Sequence, residues 1–234
     1  MISNPTENCL KYRWARQSWM LIILAAAILL VLNGCGYFWV EPYGDIARDI
    51  KPVRADGQPV FMPENAPSIT QGYFPLPERG PVGGEAGGHN GIDITADRGT
   101  PVLAPASGVV IKSYFEPLYG NHVELDLGRD EMGRLVHVKL LHLKKRLVRE
   151  GDTVVRGQQV GTLGSTGILA AGLPHVHYAI FVKGEKQAAF EPINPHQLWA
   201  DGVGIVTCFD STMTWPDTPL KTTYPVPCRG VSWQ

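Results

Sequence analysis

Three short strings in this chain hold residues able to do chemistry together: His89-Asn90-Gly91-Ile92-Asp93, an H-x-G-x-D pattern; His175-Val176-His177, an H-x-H pattern; and His142 between them. A catalytic zinc site needs three imidazole or carboxylate ligands converging on one point, with a fourth position left for water. His89, Asp93 and one histidine of the H-x-H meet that count. Residues i and i+2 of an extended strand share a face. His175 and His177 can therefore both enter one cleft, one as a ligand and the other handling protons. Each string alone is weak, because a His near an Asp is usually a surface pair and H-x-H arises often by chance. His122, His137 and His196 fall outside these strings and are read as surface or structural residues without a role in the chemistry.

The elements that must position these side chains are short strands. From Ser68-Ile69-Thr70-Gln71-Gly72-Tyr73 onward, β-rich runs alternate with Gly, Pro and Asp breakers, as at Pro101 to Leu103, Gly108 to Phe115 and His122 to Leu127. Gly128 to Gly133 separates two alternating runs, which predicts an antiparallel hairpin of His122 to Leu127 with Arg134 to His142. Further strands are expected at Gln159 to Leu163 and Val176 to Val182. Many short strands with few short helices argue for an antiparallel β-sandwich or barrel and against a parallel sheet with crossover helices. The domain is expected to span about 68–200. The extension 201–234 carries Cys208, Cys228, Trp215, Trp233 and several prolines.

The N-terminal stretch sets the compartment. Lys11, Arg13 and Arg16 precede an apolar run from Met20 to Leu32, too short to cross a bilayer comfortably, which reads as a signal peptide over residues 1–35. It ends in Leu32-Asn33-Gly34-Cys35, which resembles a lipobox with Cys35 as the lipidated N-terminus. Asn33 departs from the small or aliphatic residue usual there, and an uncleaved anchor over residues 19–34 is the alternative. Either way a domain is tethered outside the cytoplasm, behind an extended arm at 36–67 with a short helix near Gly44 to Ile50. Removing Cys9 with the leader and giving Cys35 to lipid leaves Cys208 and Cys228 as a pair in an oxidising compartment, where a disulfide is expected. Without the leader's three basic residues and Glu7, the 21 basic and 22 acidic residues become 18 and 21. That mild acidity excludes nucleic acid as a partner class.

From Ser68 to Leu198 the chain resembles the lysostaphin-type (LytM) zinc endopeptidase family. The matching strings are HNGIDITADRGTPVLAPASGVV from His89, YGNHVELDLG from Tyr119, LLHL around His142, VREGDTVVRGQQVGTLGSTG from Val148 and PHVHYAI from Pro174. The resemblance implies a β-sandwich of the duplicated hybrid motif type, with a groove floored by an antiparallel sheet. It implies one Zn2+ on His89, Asp93 and His177, and catalytic roles for His142 and His175. It further implies hydrolysis of peptidoglycan peptides, either glycine-rich bridges or D-alanyl cross-links; together with the lipobox reading this gives an envelope lipoprotein facing the periplasm, expected at the outer membrane, with an envelope regulator as a further partner and the cross-links as the expected target. Tyr119 and Asn121 border the expected groove and could touch substrate, and Gly91 is expected to let the backbone approach the metal closely.

Other readings differ in what they do with the histidines. A catalytically silent relative that activates a cell-wall amidase would have no use for two protonatable histidines beside three ligands. Val148 to Gly164 also resembles half of a biotinyl or lipoyl carrier, but no lysine lies at a comparable hairpin tip. A purely structural lipoprotein explains the leader and the arm and leaves the histidines unexplained.

Overall fold

A computed structural model describes residues 60–73 and 88–234. The leader, Cys9, Cys35, the expected helix near Gly44 to Ile50 and the first part of the arm lie outside the described residues. Among the described residues eleven strands form two antiparallel sheets: β1 (Ile69–Gln71), β2 (Ile92–Ile94), β3 (Pro101–Leu103), β4 (Gly108–Glu116), β5 (Gly120–Arg129), β6 (Leu135–Leu143), β7 (Lys145–Arg146), β8 (Thr153–Val154), β9 (Gln159–Thr162), β10 (Val176–Lys183) and β11 (Glu191–Ile193). The larger sheet runs β1-β2-β10-β6-β5-β4-β8, and β11 also pairs with β10; the smaller is β3-β9-β7. Among the described residues the only helical pieces are 3-10 turns at Ile168–Ala170 and Pro195–Gln197. The mainly antiparallel β class read from the turn spacing is the class observed.

Alternation explains the core. Val123, Leu125 and Leu127 of β5, Val136, Val138 and Leu140 of β6, and Val176, Tyr178, Ile180 and Val182 of β10 all turn to one buried cluster, as expected where successive side chains take opposite faces. The expected hairpin is present, with Leu125 opposite Val138 and Glu124 opposite Lys139. Near its far end the ladder breaks: Asn121 faces Leu143 and Val123 faces Leu140, so Leu141 and His142 together oppose His122. This extra residue is a β-bulge, a device that re-aims a side chain, and His142 takes a left-handed backbone with φ 64°.

The extension beyond residue 200 has no strand, yet it completes the core. Val206, Leu220, Tyr224, Val226 and Cys228 join Trp199 in the buried cluster. Trp199 stacks on Tyr178 at 5.7 Å and meets Tyr224 edge-on at 5.9 Å. The buried Arg156 guanidinium donates to the Pro105 and Lys221 carbonyls, tying the extension to the loop after β3. Cys208 and Cys228 are joined by a disulfide across a separation of 20 residues.

Candidate metal centre

Strand register assembles the site. Asp93 of β2 pairs directly with His177 of β10, and His177 pairs on its other side with Leu141 of β6, so three neighbouring strands deliver Asp93, His177 and the His142 bulge in a row. His89 lies four residues before Asp93 and meets it across the turn at Gly91. A side chain at Gly91 would put its Cβ 2.5 Å from the Tyr178 carbonyl oxygen and 2.8 Å from His177 Nε2. Only glycine allows the loop to lie this close to β10.

The donor atoms converge. His89 Nε2 lies 3.1 Å from Asp93 Oδ1 and 3.0 Å from His177 Nδ1, and His177 Nδ1 lies 2.9 Å from Asp93 Oδ1. Tetrahedral zinc with bonds of about 2.0–2.1 Å separates its ligand atoms by roughly 3.3 Å, so the trio is spaced as a three-ligand set. The chemistry of the donors agrees. His89 Nδ1 lies 2.7 Å from the Gly72 carbonyl and must donate its proton there, which leaves Nε2 as a lone pair. In the neutral ring that lone pair, beside a carboxylate oxygen and a second imidazole nitrogen, is placed to bind a cation. The carbonyl that fixes the tautomer of His89 is the outer-shell partner typical of metal-bound histidine. It comes from the segment just after β1, where Tyr73 Oη donates to the Pro192 carbonyl at 3.2 Å.

Electrostatics fit the same assignment. Burial alone would raise the Asp93 carboxyl, but hydrogen bonds and charge from His177 and His89 hold it well below the usual carboxylate range. Burial pushes His177 down. The same burial acts on His89, but the hydrogen bond and charge of Asp93 outweigh it and His89 is raised. Asp93 is thus ionised at any pH near neutrality and can serve a cation as an anionic ligand.

His142 and His175 stand beside the trio. Their rings lie 4.7 Å apart, and the His142 ring lies 6.4 Å from that of His177. His175 Nε2 is 3.9 Å from Asp93 Oδ2. His142 Nδ1 donates to the Thr166 carbonyl at 2.9 Å and His175 Nδ1 to the Leu173 carbonyl at 3.0 Å. Each ring therefore keeps Nε2 for other work. Burial brings His142 down to about 4, overriding its bond to Thr166, so it is neutral near pH 7 and can accept a proton.

All five histidine and aspartate positions singled out from the sequence thus meet in one place. Asn121 is occupied in the scaffold: its Nδ2 donates to the Leu143 carbonyl at 3.2 Å, and its Oδ1 accepts from Arg146 Nε at 3.2 Å. Tyr119 is exposed, with its ring 6.5 Å from that of His142. Away from the site, His196 accepts from the Trp199 indole at 2.8 Å, His137 stacks on Phe190 at 4.0 Å, and His122 packs against Tyr114. Two contributors carried no chemical signal in the sequence: the Gly72 carbonyl, which any residue could supply, and Thr166, which sat inside a matching string without an assigned role.

Comparison with known proteins places this geometry. The profile of peptidase family M23 matches residues 87–189. The peptidoglycan DD-endopeptidases ShyC and ShyA of Vibrio cholerae are 40% and 39% identical to this chain over 104 residues, 44% of it in each case and 22% and 23% of theirs. Lysostaphin of Staphylococcus simulans is 35% identical over 107 residues, 46% of this chain and 20% of that protein. The match therefore spans less than a quarter of the length of these curated relatives. Among solved structures, the catalytic domain of lysostaphin from Staphylococcus simulans has 30% identity, covering 54% of this chain and 88% of that one, with a TM-score of 0.42.

Proposed function

We propose that this chain, whose residues 87–189 form a domain of peptidase family M23, is an active zinc endopeptidase that hydrolyses the peptide cross-links of peptidoglycan in the bacterial envelope. The observation that carries the proposal is the coincidence of a complete His89–Asp93–His177 acceptor trio with two histidines whose Nδ1 protons are already committed. Relatives named as peptidoglycan DD-endopeptidases support the substrate class.

In this reading His89, Asp93 and His177 would hold the zinc. When bound, it supplies a Lewis acid and lowers the pKa of its water toward neutrality. The protein's part is to move protons and to orient the substrate. His142, neutral and with Nδ1–H held by the Thr166 carbonyl, offers Nε2 to take the proton of the attacking water. His175, whose Nε2 sits near Asp93 Oδ2, is assigned the donor side, stabilising the charge that grows on the carbonyl oxygen. The remaining proposals follow the leader: lipidation at Cys35, a membrane anchor facing the periplasm, and an envelope regulator as partner. A silent amidase-activating adaptor is the reading to beat.

The test uses the full-length protein in detergent. Zinc stoichiometry is measured, and purified sacculi are digested by the wild type and by His142→Ala. About one zinc per chain is expected, with new muropeptides from the wild type alone. A zinc-loaded wild type that leaves the muropeptide profile unchanged returns the protein to the adaptor class.

A further inference from the structure

His142 is the only proposed catalytic residue with a left-handed backbone, at φ 64°. A non-glycine residue holds that conformation only where its surroundings over-determine it. The surroundings here come largely from one residue. The Thr166 carbonyl accepts from His142 Nδ1 at 2.9 Å, and its amide donates to the His142 carbonyl at 3.3 Å. Its hydroxyl donates to the Leu143 carbonyl at 2.7 Å and accepts from the Asn121 amide at 3.0 Å. Main chain and side chain of Thr166 together thus clamp the bulge from both strands of the β5–β6 pair.

The space around the clamp is closed. A Cβ at Gly120 would lie 2.3 Å from Thr166 Oγ1, and one at Gly167 would lie 2.3 Å from the Gly120 amide nitrogen. Thr166 therefore cannot slide away from the bulge without breaking backbone contacts. A threonine hydroxyl can donate once and accept at the same time, and here it does both, to two strands that the bulge has pulled out of register.

From this we propose that Thr166 is a positioning residue for His142, and that its hydroxyl, by fixing the Thr166 carbonyl against the bulge, holds the His142 ring in its Nδ1–H tautomer. The proposal deepens the peptidase reading and rests on it for its effect on rate. The consequence for catalysis is orientation. A base whose ring can turn spends less time aligned with the water proton, so kcat falls while substrate binding is little changed.

Full-length zinc-loaded protein is compared as wild type, Thr166→Val and Thr166→Ser. Valine keeps the shape and removes the hydroxyl, leaving the Asn121 main-chain amide without its partner and the Leu143 carbonyl with the longer bond from Asn121 Nδ2; serine keeps it. With purified sacculi, Thr166→Val is expected to lose about 10²-fold in kcat, with KM and zinc stoichiometry close to wild type and Thr166→Ser restoring most of the rate. Nitrogen NMR of the His142 ring is expected to show the Nδ1–H tautomer in the wild type and the serine variant and a mixture in the valine variant. Unchanged kcat in a folded Thr166→Val, or an Nε2–H tautomer in the wild type, overturns the proposal. Should the valine variant fail to fold, the wild-type and serine tautomers still decide it. Should the wild type release no muropeptides, the peptidase reading fails, while the tautomers go on to judge Thr166 separately.

Discussion

Two clusters of titratable side chains sit on the same large sheet, and they have opposite electrical designs. At the candidate metal centre, His89, Asp93 and His177 bring one ligand atom each to a common point, and among the described residues the side chains paired with Asp93 are histidines. On β5, His122 and Glu124 are two residues apart and buried, and Glu124 is flanked by Lys112 and Lys139, each at 3.5 Å. His122 Nε2 stays 3.8 Å from Glu124 Oε1. In the second cluster the carboxylate has its counter-charges in two lysines. At the first, the three donor atoms of different elements meet at one point, and that convergence marks it as a candidate site. A density of histidines and carboxylates therefore says little by itself; convergence of their donor atoms on one point says much more.

Substitutions can break this contrast, the most damaging first. His177→Ala or Asp93→Ala is expected to abolish zinc binding and with it activity, by about 10³-fold or more. In Glu124→Gln, zinc stoichiometry by metal analysis should stay at the wild-type value. Next in size is His142→Ala, expected to lower kcat by about 10²–10⁴-fold while zinc content is retained, as measured by metal analysis beside sacculus digestion. A smaller effect belongs to Glu124→Ala, which leaves two ammonium groups facing each other across β4 to β6. Both lysines are partly exposed, so the loss of stability in urea unfolding should be only about 1–2 kcal/mol.

The smallest effect is a pH slope. Burial lowers His122 in the folded protein, so the unfolded chain binds more protons in the window below its ordinary value. The stability tied to neutral His122 is therefore fully present above about pH 6.5 and is lost as pH falls through the folded value. Unfolding of metal-free protein followed from pH 8 to pH 5 should show stability falling with acid, and His122→Phe should flatten that slope.

The five side chains of the candidate site were legible in the sequence because imidazole and carboxylate groups carry their chemistry themselves. H-x-G-x-D and H-x-H also encode geometry, since Gly91 admits the loop to β10 and strand alternation puts His175 and His177 on one side. The fold class followed equally directly from alternation between turn residues. What stayed hidden belongs to the backbone. The Gly72 carbonyl that orients His89 has no residue signature, and the bulge that turns His142 arises from register between two strands that each look regular. The extension beyond residue 200 reads as irregular chain, and its place in the core, through Leu220, Tyr224 and Val226, depends on long-range packing that no local pattern reports. Asn121 shows the reverse case: a polar residue in the right neighbourhood whose amide is consumed by the scaffold.

The most direct test of the candidate metal centre is zinc titration of the full-length apoprotein against a competing chelator, run for the wild type and for His89→Ala. A single tight site in the wild type that disappears in the variant is the expected result. Weak binding of several ions, unaltered by loss of His89, would contradict the claim that these three side chains form a metal centre.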